Sequence, residues 1–102
     1  MRGRSINFEA IAKAALSHSE TITARWLGDG KRMGSEWVCR NPTRADHKTG
    51  SFKVNLSNGR WGDFATGDKG GDFISLAAFL FRLDQRQAAL KIADMLGINP
   101  YV

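Results

Sequence analysis

The sequence predicts an α+β fold in one domain over residues 1–102, with a small antiparallel sheet between one N-terminal and two C-terminal helices. Apolar residues recur at helical spacing near the N-terminus and again in two stretches after residue 72. Between them, residues 51–56 alternate between apolar and polar side chains, as a half-buried strand does. A chain of 102 residues, 42% of them hydrophobic and 25% charged, suits one globular domain.

The first helix is predicted to begin after Asn7, whose side chain is a good N-cap. The residues that follow place an apolar stripe on one helical face, at Phe8, Ile11, Ala12, Ala15 and Leu16. Ile6, before the cap, can pack on Ile11 as a hydrophobic staple. The helix should end near residues 17–19.

The middle of the chain is predicted to form three or four antiparallel strands. Residues 21–27 are rich in β-prone side chains, and two glycines at residues 28–30 should turn the chain. Residues 36–40 form a second short strand, and residues 51–56 place Phe52, Val54 and Leu56 on one face. Asn58-Gly59 is a strong hairpin signal, which makes residues 60–64 the returning strand.

Two helices are predicted after a glycine-rich run over residues 59–72. Asp72 is the expected N-cap of a helix over residues 73–83, where its carboxylate also favours the positive end of the helix dipole. Asp84 and Gln87 resemble a capping box at the start of the last helix. Gly97 is the expected C-terminal stop.

Composition excludes several classes of protein. No apolar run approaches the roughly 20 residues that a membrane span requires, so we expect no membrane association. The N-terminus has two arginines but no apolar segment typical of a secretory signal. Cys39 is the single cysteine, which excludes an internal disulfide and fits a reducing cytoplasm.

Positive charge is concentrated in the middle of the chain. Between residues 31 and 60 lie seven basic and two acidic residues, and this excess of +5 equals the net charge of the whole protein. Such a basic segment on a neutral scaffold favours a phosphate-binding surface, although a solvated basic face is the alternative. Three tryptophans are interleaved with it. We expect Trp26 to be core, and exposed rings at Trp37 and Trp61 could stack on bases. The predicted nucleic-acid-binding residues are Lys31, Arg32, Trp37, Arg40, Arg44, Lys48, Lys53, Arg60, Trp61 and Lys69.

Four segments in the right order carry a resemblance to a known family. Cys39 is followed by the strand segment at residues 49–54, by Trp-Gly-Asp-Phe-Ala-Thr-Gly at residues 61–67, and by Asp-Lys-Gly-Gly-Asp-Phe-Ile at residues 68–74. With them, residues 6–98 resemble the N-terminal zinc-ribbon domain of DnaG-type primases. The segment at residues 61–67 is similar to the variant in phage and plasmid primase-like proteins.

The resemblance places the family's zinc ligands on unsuitable residues. Cys39 stands at the first ligand position, but the Cys-x-x-Cys pair falls on Phe64 and Gly67. His47 is the nearest candidate for the second ligand, and aspartates would have to supply the rest. Structural zinc needs four N, S or O ligands. We therefore expect a zinc-ribbon-like fold with no metal or other cofactor, in which Phe64 fills the volume of the ion and Cys39 is a buried hydrophobe.

The resemblance also implies a function. In the relatives, this sheet contacts the single-stranded template, and the catalytic carboxylates belong to a separate Toprim domain. We therefore expect a non-catalytic module that binds single-stranded DNA in a phage, plasmid or other mobile-element replication system. Asp63 and Asp68 are then turn formers rather than a catalytic cluster, and the glycine-rich run lacks the ending of a P-loop. The alternatives are a protein-interaction module that docks on a primase, helicase or other protein, and a primase fragment whose catalytic part lies elsewhere.

Overall fold

The computed structural model describes residues 5–43 and 51–102. Within these ranges the chain forms four helices and one five-stranded antiparallel sheet, which confirms the α+β prediction. In chain order the elements are α1 (Phe8–Ser17), α2 (Ser19–Trp26), β1 (Lys31–Met33), β2 (Glu36–Cys39), β3 (Phe52–Asn55), β4 (Trp61–Asp63), β5 (Lys69–Gly70), α3 (Phe73–Phe81) and α4 (Gln85–Leu96).

The predicted helix caps are confirmed. The Asn7 side chain accepts a hydrogen bond from the Ala10 amide at 3.1 Å, which fixes the start of α1. Asp72 forms a capping box with Ser75 at the start of α3, and a second capping box opens α4. Gly97 ends α4 with a left-handed φ of 69°, a conformation that glycine adopts without a Cβ clash.

The strand predicted over residues 21–27 is wrong, because the chain forms helix α2 there. Ile22 and Thr23 are β-branched, but both are buried in the helical conformation. The Thr23 hydroxyl donates to the carbonyl oxygen of Ser19 at 2.9 Å, which satisfies it inside the helix. Tertiary packing therefore overrides local propensity, and the sheet is preceded by two helices instead of one.

The five strands follow each other across the sheet in the order β1-β2-β3-β4-β5. The predictions for β2, β3 and β4 are confirmed, as is the turn at Gly59, where φ is +81°. The strands β1 and β5 were not predicted. They are the edge strands, of three and two residues, and are too short to show an alternating pattern.

The two faces of the sheet differ sharply. Side chains on the inner face enter the core, among them Trp37, Cys39, Phe52, Val54 and Trp61. Phe52, Trp61 and Phe79 of α3 form an aromatic cluster with ring centroids 4.8–6.0 Å apart. The outer face alternates with these residues, and along it Lys31 and Lys69 are exposed, Lys53 and Gly62 are half-buried, and Val38 is buried.

The glycine-rich run joins β4, β5 and α3. The Trp61 indole nitrogen donates to the Ser75 hydroxyl at 3.0 Å and so links the sheet to the first turn of α3. Gly70 lies beneath this indole, where an added Cβ would come within 2.7 Å of Trp61 Cε2. The glycine therefore permits close approach of β5 and Trp61. None of the described helices has the length and apolar character that crossing a membrane would require.

Candidate nucleic-acid interface

The outer face of the sheet carries a row of lysines. The strand register aligns five residues across all five strands, in the order Lys31, Val38, Lys53, Gly62 and Lys69. Neighbouring strands lie about 4.8 Å apart, so lysines on every second strand are spaced by about 10 Å. The two residues between the lysines are small or apolar. The row therefore forms a line of positive charge perpendicular to the strands.

Two arginines extend this row. Arg40 follows β2 directly and Arg60 precedes β4, and both side chains are exposed. Strand alternation places them on the same face as the lysines, since each lies two residues from a member of the row. We define the outer basic face as these five residues: Lys31, Arg40, Lys53, Arg60 and Lys69. Within residues 5–43 and 51–102, none of the five forms a salt bridge.

Arg32, another of the predicted basic residues, does not join this face. Arg32 alternates to the opposite side of β1, where its guanidinium forms a salt bridge with Glu20 of α2 at 3.1 Å. The same side chain donates to the Gly34 carbonyl oxygen at 2.9 Å. The positive charge of Arg32 is therefore paired with the carboxylate of Glu20 on α2. Arg44 and Lys48 lie outside the described residues.

The predicted stacking role of Trp37 and Trp61 needs correction. Their side chains lie on the inner face and are only 8% and 7% exposed. The Trp37 indole nitrogen donates to the Leu27 carbonyl oxygen at 2.9 Å, so its polar atom is satisfied within the protein. Neither ring is available to a base in this conformation. Trp26 is partly buried against the core, which confirms its structural interpretation.

Phe64 is the aromatic residue that sequence reasoning missed. The expectation that it fills the volume of a metal ion is wrong, because its side chain is 81% exposed. It lies on the outer face beyond β4, and the Lys53 ammonium lies 5.3 Å from its ring centroid. Strand alternation contained the signal, since Trp61 and Asp63 are buried while Gly62 and Phe64 occupy the outward positions.

An open groove of about 560 Å³ runs along this part of the outer face. Its lining combines positive charge, polar side chains, a glycine floor and the Phe64 ring. Three acidic residues, Glu36, Asp63 and Asp68, also line it. The lining residues are Glu36, Lys53, Asn55, Asn58, Arg60, Trp61, Gly62, Asp63, Phe64, Gly67, Asp68 and Lys69.

The described fold is similar to a solved structure of a primase. That structure is the Aquifex aeolicus primase, with its zinc-binding and RNA polymerase domains. The match has a TM-score of 0.74 at 21% sequence identity, and it covers 93% of this chain and 22% of the primase chain. The fold is that of a primase zinc-binding domain. No protein-family model matches the sequence, and no curated protein shows significant similarity to it.

A primase zinc-binding fold implies a zinc site, so the residues at its ligand positions can be compared with what a zinc ion requires. Cys39 is fully buried, as expected for a small hydrophobe. Burial, reinforced by the negative charge of Asp29, raises the pKa of its thiol to about 12. Zinc binds the thiolate, so ligation at Cys39 would require this buried thiol to lose its proton.

Two further ligand positions that the resemblance implies, Phe64 and Gly67, are unsuitable. Phe64 has no donor atom, and Gly67 has only its backbone, with a φ of +81°. Among the described residues, no three His, Cys, Asp or Glu side chains converge on a possible metal site. His47 lies outside the described residues. The described residues therefore do not fit the zinc site that the fold implies.

A buried hydrogen bond connects the segment after β2 with the segment after β4. These are the two segments that the metal ion of a zinc ribbon would join. The Asn41 side-chain amide, just after β2, donates to the Asp63 carboxylate at 2.7 Å. The other carboxylate oxygen accepts from the Ala65 amide at 2.8 Å, which confirms Asp63 as a turn former. The side-chain oxygen of Asn41 in turn accepts hydrogen bonds from the backbone amide and the hydroxyl of Thr43. Polar side chains thus tie the loop after β2 to the turn after β4.

Proposed function

We propose that this chain is a non-catalytic module that binds single-stranded DNA on its outer basic face. The observation that carries the proposal is the register of the sheet, which aligns Lys31, Lys53 and Lys69 in one row. None of these lysines is used in a salt bridge among the described residues, so all three are available to neutralise phosphates. The net charge of +5 adds long-range attraction for a polyanion.

Single-stranded nucleic acid suits this surface better than a duplex. The described part of the outer face is formed by strands and not by a helix, the element that most often enters a major groove. Proteins that bind single strands combine cations along the backbone path with an exposed aromatic ring. Phe64 supplies such a ring beside Lys53.

The fold comparison supports a replication-related role. The similar structure is a primase whose RNA polymerase domain is separate from its zinc-binding domain. The present chain spans about a fifth of that primase, the part that corresponds to the zinc-binding fold. We therefore assign any catalytic step to a different domain or chain. The phage- or plasmid-like segment at residues 61–67 favours a mobile-element replication system.

Docking on a partner protein is the second candidate function. It is favoured by Met33, which lies on the outer face with 55% of its side chain exposed, and by the exposed Phe64 ring. Exposed apolar residues beside charges are common in protein interfaces. A primase or helicase is the kind of partner that the resemblance implies. If this candidate is correct, binding to the partner protein does not require Lys31, Lys53 and Lys69 to contact a row of phosphates.

The proposed function is tested by fluorescence anisotropy with a labelled oligonucleotide, titrated at several salt concentrations. Lys31→Gln, Lys53→Gln and Lys69→Gln should each weaken binding and reduce the slope of log K against log salt by about 0.7, the value for one phosphate contact on a single strand. Arg86→Gln is the matched control, because Arg86 is exposed on α4, away from the sheet. It should leave affinity and slope close to those of the wild type.

Two results would contradict the proposal. If the wild type does not bind the oligonucleotide at low salt, the outer basic face is not a DNA site and the protein-docking candidate takes precedence. If Arg86→Gln weakens binding as much as the three lysine variants do, the effect is one of net charge and not of the aligned row.

A further inference from the structure

We propose that Phe64 and Gly62 form a subsite for one nucleotide, in which the base stacks on the Phe64 ring and the adjoining backbone crosses Gly62. Lys53 and Lys69 lie on either side of Gly62 in the row and would contact the flanking phosphates. This inference rests on the proposed single-stranded DNA binding. It adds a defined position for one base. It also separates the contribution of base stacking to the affinity from that of the ionic contacts with phosphates.

The Phe64 ring is exposed on a well-held backbone. The Phe64 amide donates to the Ser51 carbonyl oxygen at 3.0 Å, which continues the β3–β4 pairing beyond β4. The turn that follows is closed by a hydrogen bond from the Gly67 amide to the Asp63 carbonyl oxygen at 2.8 Å. The ring is therefore presented by ordered backbone and is not at the tip of an unpaired loop. Because the backbone is already held, stacking of a base on the ring would restrict only the Phe64 side chain.

The Lys53 side chain places a positive charge next to the Phe64 ring. Its ammonium lies 5.3 Å from the Phe64 centroid, within the range of a cation–π contact. An ammonium on one side of the ring leaves the other side open, in agreement with the 81% exposure of the residue. A positive charge beside an exposed ring matches a nucleotide, which presents a flat base and an anionic phosphate.

Gly62 provides the floor between Lys53 and Lys69. A Cβ added at Gly62 would have the Asp68 carbonyl oxygen at 3.5 Å and the Lys69 Cβ at 3.7 Å as its nearest neighbours, both ordinary contact distances. Its φ lies outside the left-handed region, so the backbone does not require glycine. A glycine inside a strand usually weakens it and often marks the close approach of a ligand or another backbone. Gly62 lines the open groove, so the backbone of a ligand could approach it closely.

Substitutions at these two positions test the subsite. Phe64→Ala should lower the affinity for a labelled oligonucleotide by about 5- to 150-fold, the range for loss of one base–aromatic stack, with an unchanged salt slope. Phe64→Trp should retain binding. Gly62→Thr should bind at least about tenfold more weakly while melting at the same temperature as the wild type or higher, because a β-branched residue favours a strand.

Gly71→Thr is the matched control for Gly62→Thr. Gly71 is exposed outside the groove, with open space around an added Cβ and a φ outside the left-handed region. It should leave the affinity unchanged. If Gly62→Thr does not fold, the comparison of Phe64→Ala with Phe64→Trp decides the question.

Failure of the subsite differs from failure of the proposed function. If Phe64→Ala binds as the wild type does while Lys31→Gln weakens binding, the row binds DNA but Phe64 is not a stacking residue, and the subsite is wrong. If the wild type itself does not bind DNA at low salt, both proposals are overturned.

Discussion

Replacing Asp63 with alanine tests how the loop after β2 is held against the turn after β4. Asp63 is 3% exposed and Asn41 is 1% exposed, so their 2.7 Å hydrogen bond is buried. Asp63→Ala leaves the Asn41 side-chain amide without this acceptor in a site that water hardly reaches. An unsatisfied buried donor costs about 1–3 kcal/mol. The lost bond to the Ala65 amide adds about 1 kcal/mol.

We therefore expect Asp63→Ala to lower the free energy of unfolding by about 2–4 kcal/mol. In a domain of this size, each kcal/mol shifts the melting temperature by about 4–8 °C, so the loss should be roughly 10–30 °C. Urea unfolding followed by circular dichroism measures the first quantity, and thermal melting measures the second. Asp68→Ala is the matched control, because Asp68 lies at the end of the same turn with its side chain exposed. It should change stability by less than about 0.5 kcal/mol.

A double-mutant cycle with Asn41→Ala isolates the pair. The coupling energy between Asn41 and Asp63 should be about 1–2 kcal/mol, since the two side chains contact each other directly. Additive effects of the two substitutions would show that each residue acts through other neighbours. An Asp63→Ala variant as stable as Asp68→Ala would refute the view that this hydrogen bond connects the two segments.

Two further predictions concern the metal and the cysteine. Thermal melting with a chelator should coincide with melting in added zinc, because the described residues do not supply a zinc site; a shift of several degrees would contradict this prediction. The raised pKa of Cys39 means that its stabilising contribution is complete below the unfolded thiol pKa of about 8.5 and is lost as pH rises towards the folded value of about 12. Urea unfolding between pH 8 and 10.5 should show a smaller decline in Cys39→Ala than in the wild type; parallel declines would disprove the assignment.

Sequence reasoning predicted the elements whose signals are local. Asn7, Asp72, Asp84 and Gly97 mark helix ends through short-range hydrogen bonds and backbone conformation, and all four perform the predicted role. The alternation over residues 51–56 likewise predicted β3. Helix α2 could not be predicted in this way, because the burial of Ile22 and the helix-internal bond of Thr23 depend on the rest of the fold.

The candidate site was likewise predicted only in part from the sequence. Sequence composition located the positive charge, and five of the predicted basic residues share one face. Composition alone could not show which side of a strand each aromatic occupies; strand alternation separates the two sides, but the register decides which of them is buried. Register places Trp37 and Trp61 inside and Phe64 outside. The salt bridge between Arg32 and Glu20 could not be predicted either, because Glu20 was expected to precede a strand and instead lies on α2.

Nuclear magnetic resonance of the ¹⁵N-labelled protein, titrated with a short single-stranded oligonucleotide at low salt, tests the outer basic face most directly. We predict that the largest amide shifts will fall on the outward positions of β3, β4 and β5 and their flanks, including Lys53, Gly62, Phe64 and Lys69. The amides of α4 around Arg86 should be unaffected. Shifts confined to the helices, or no shifts at all, would contradict the assignment of this face as the DNA-binding surface.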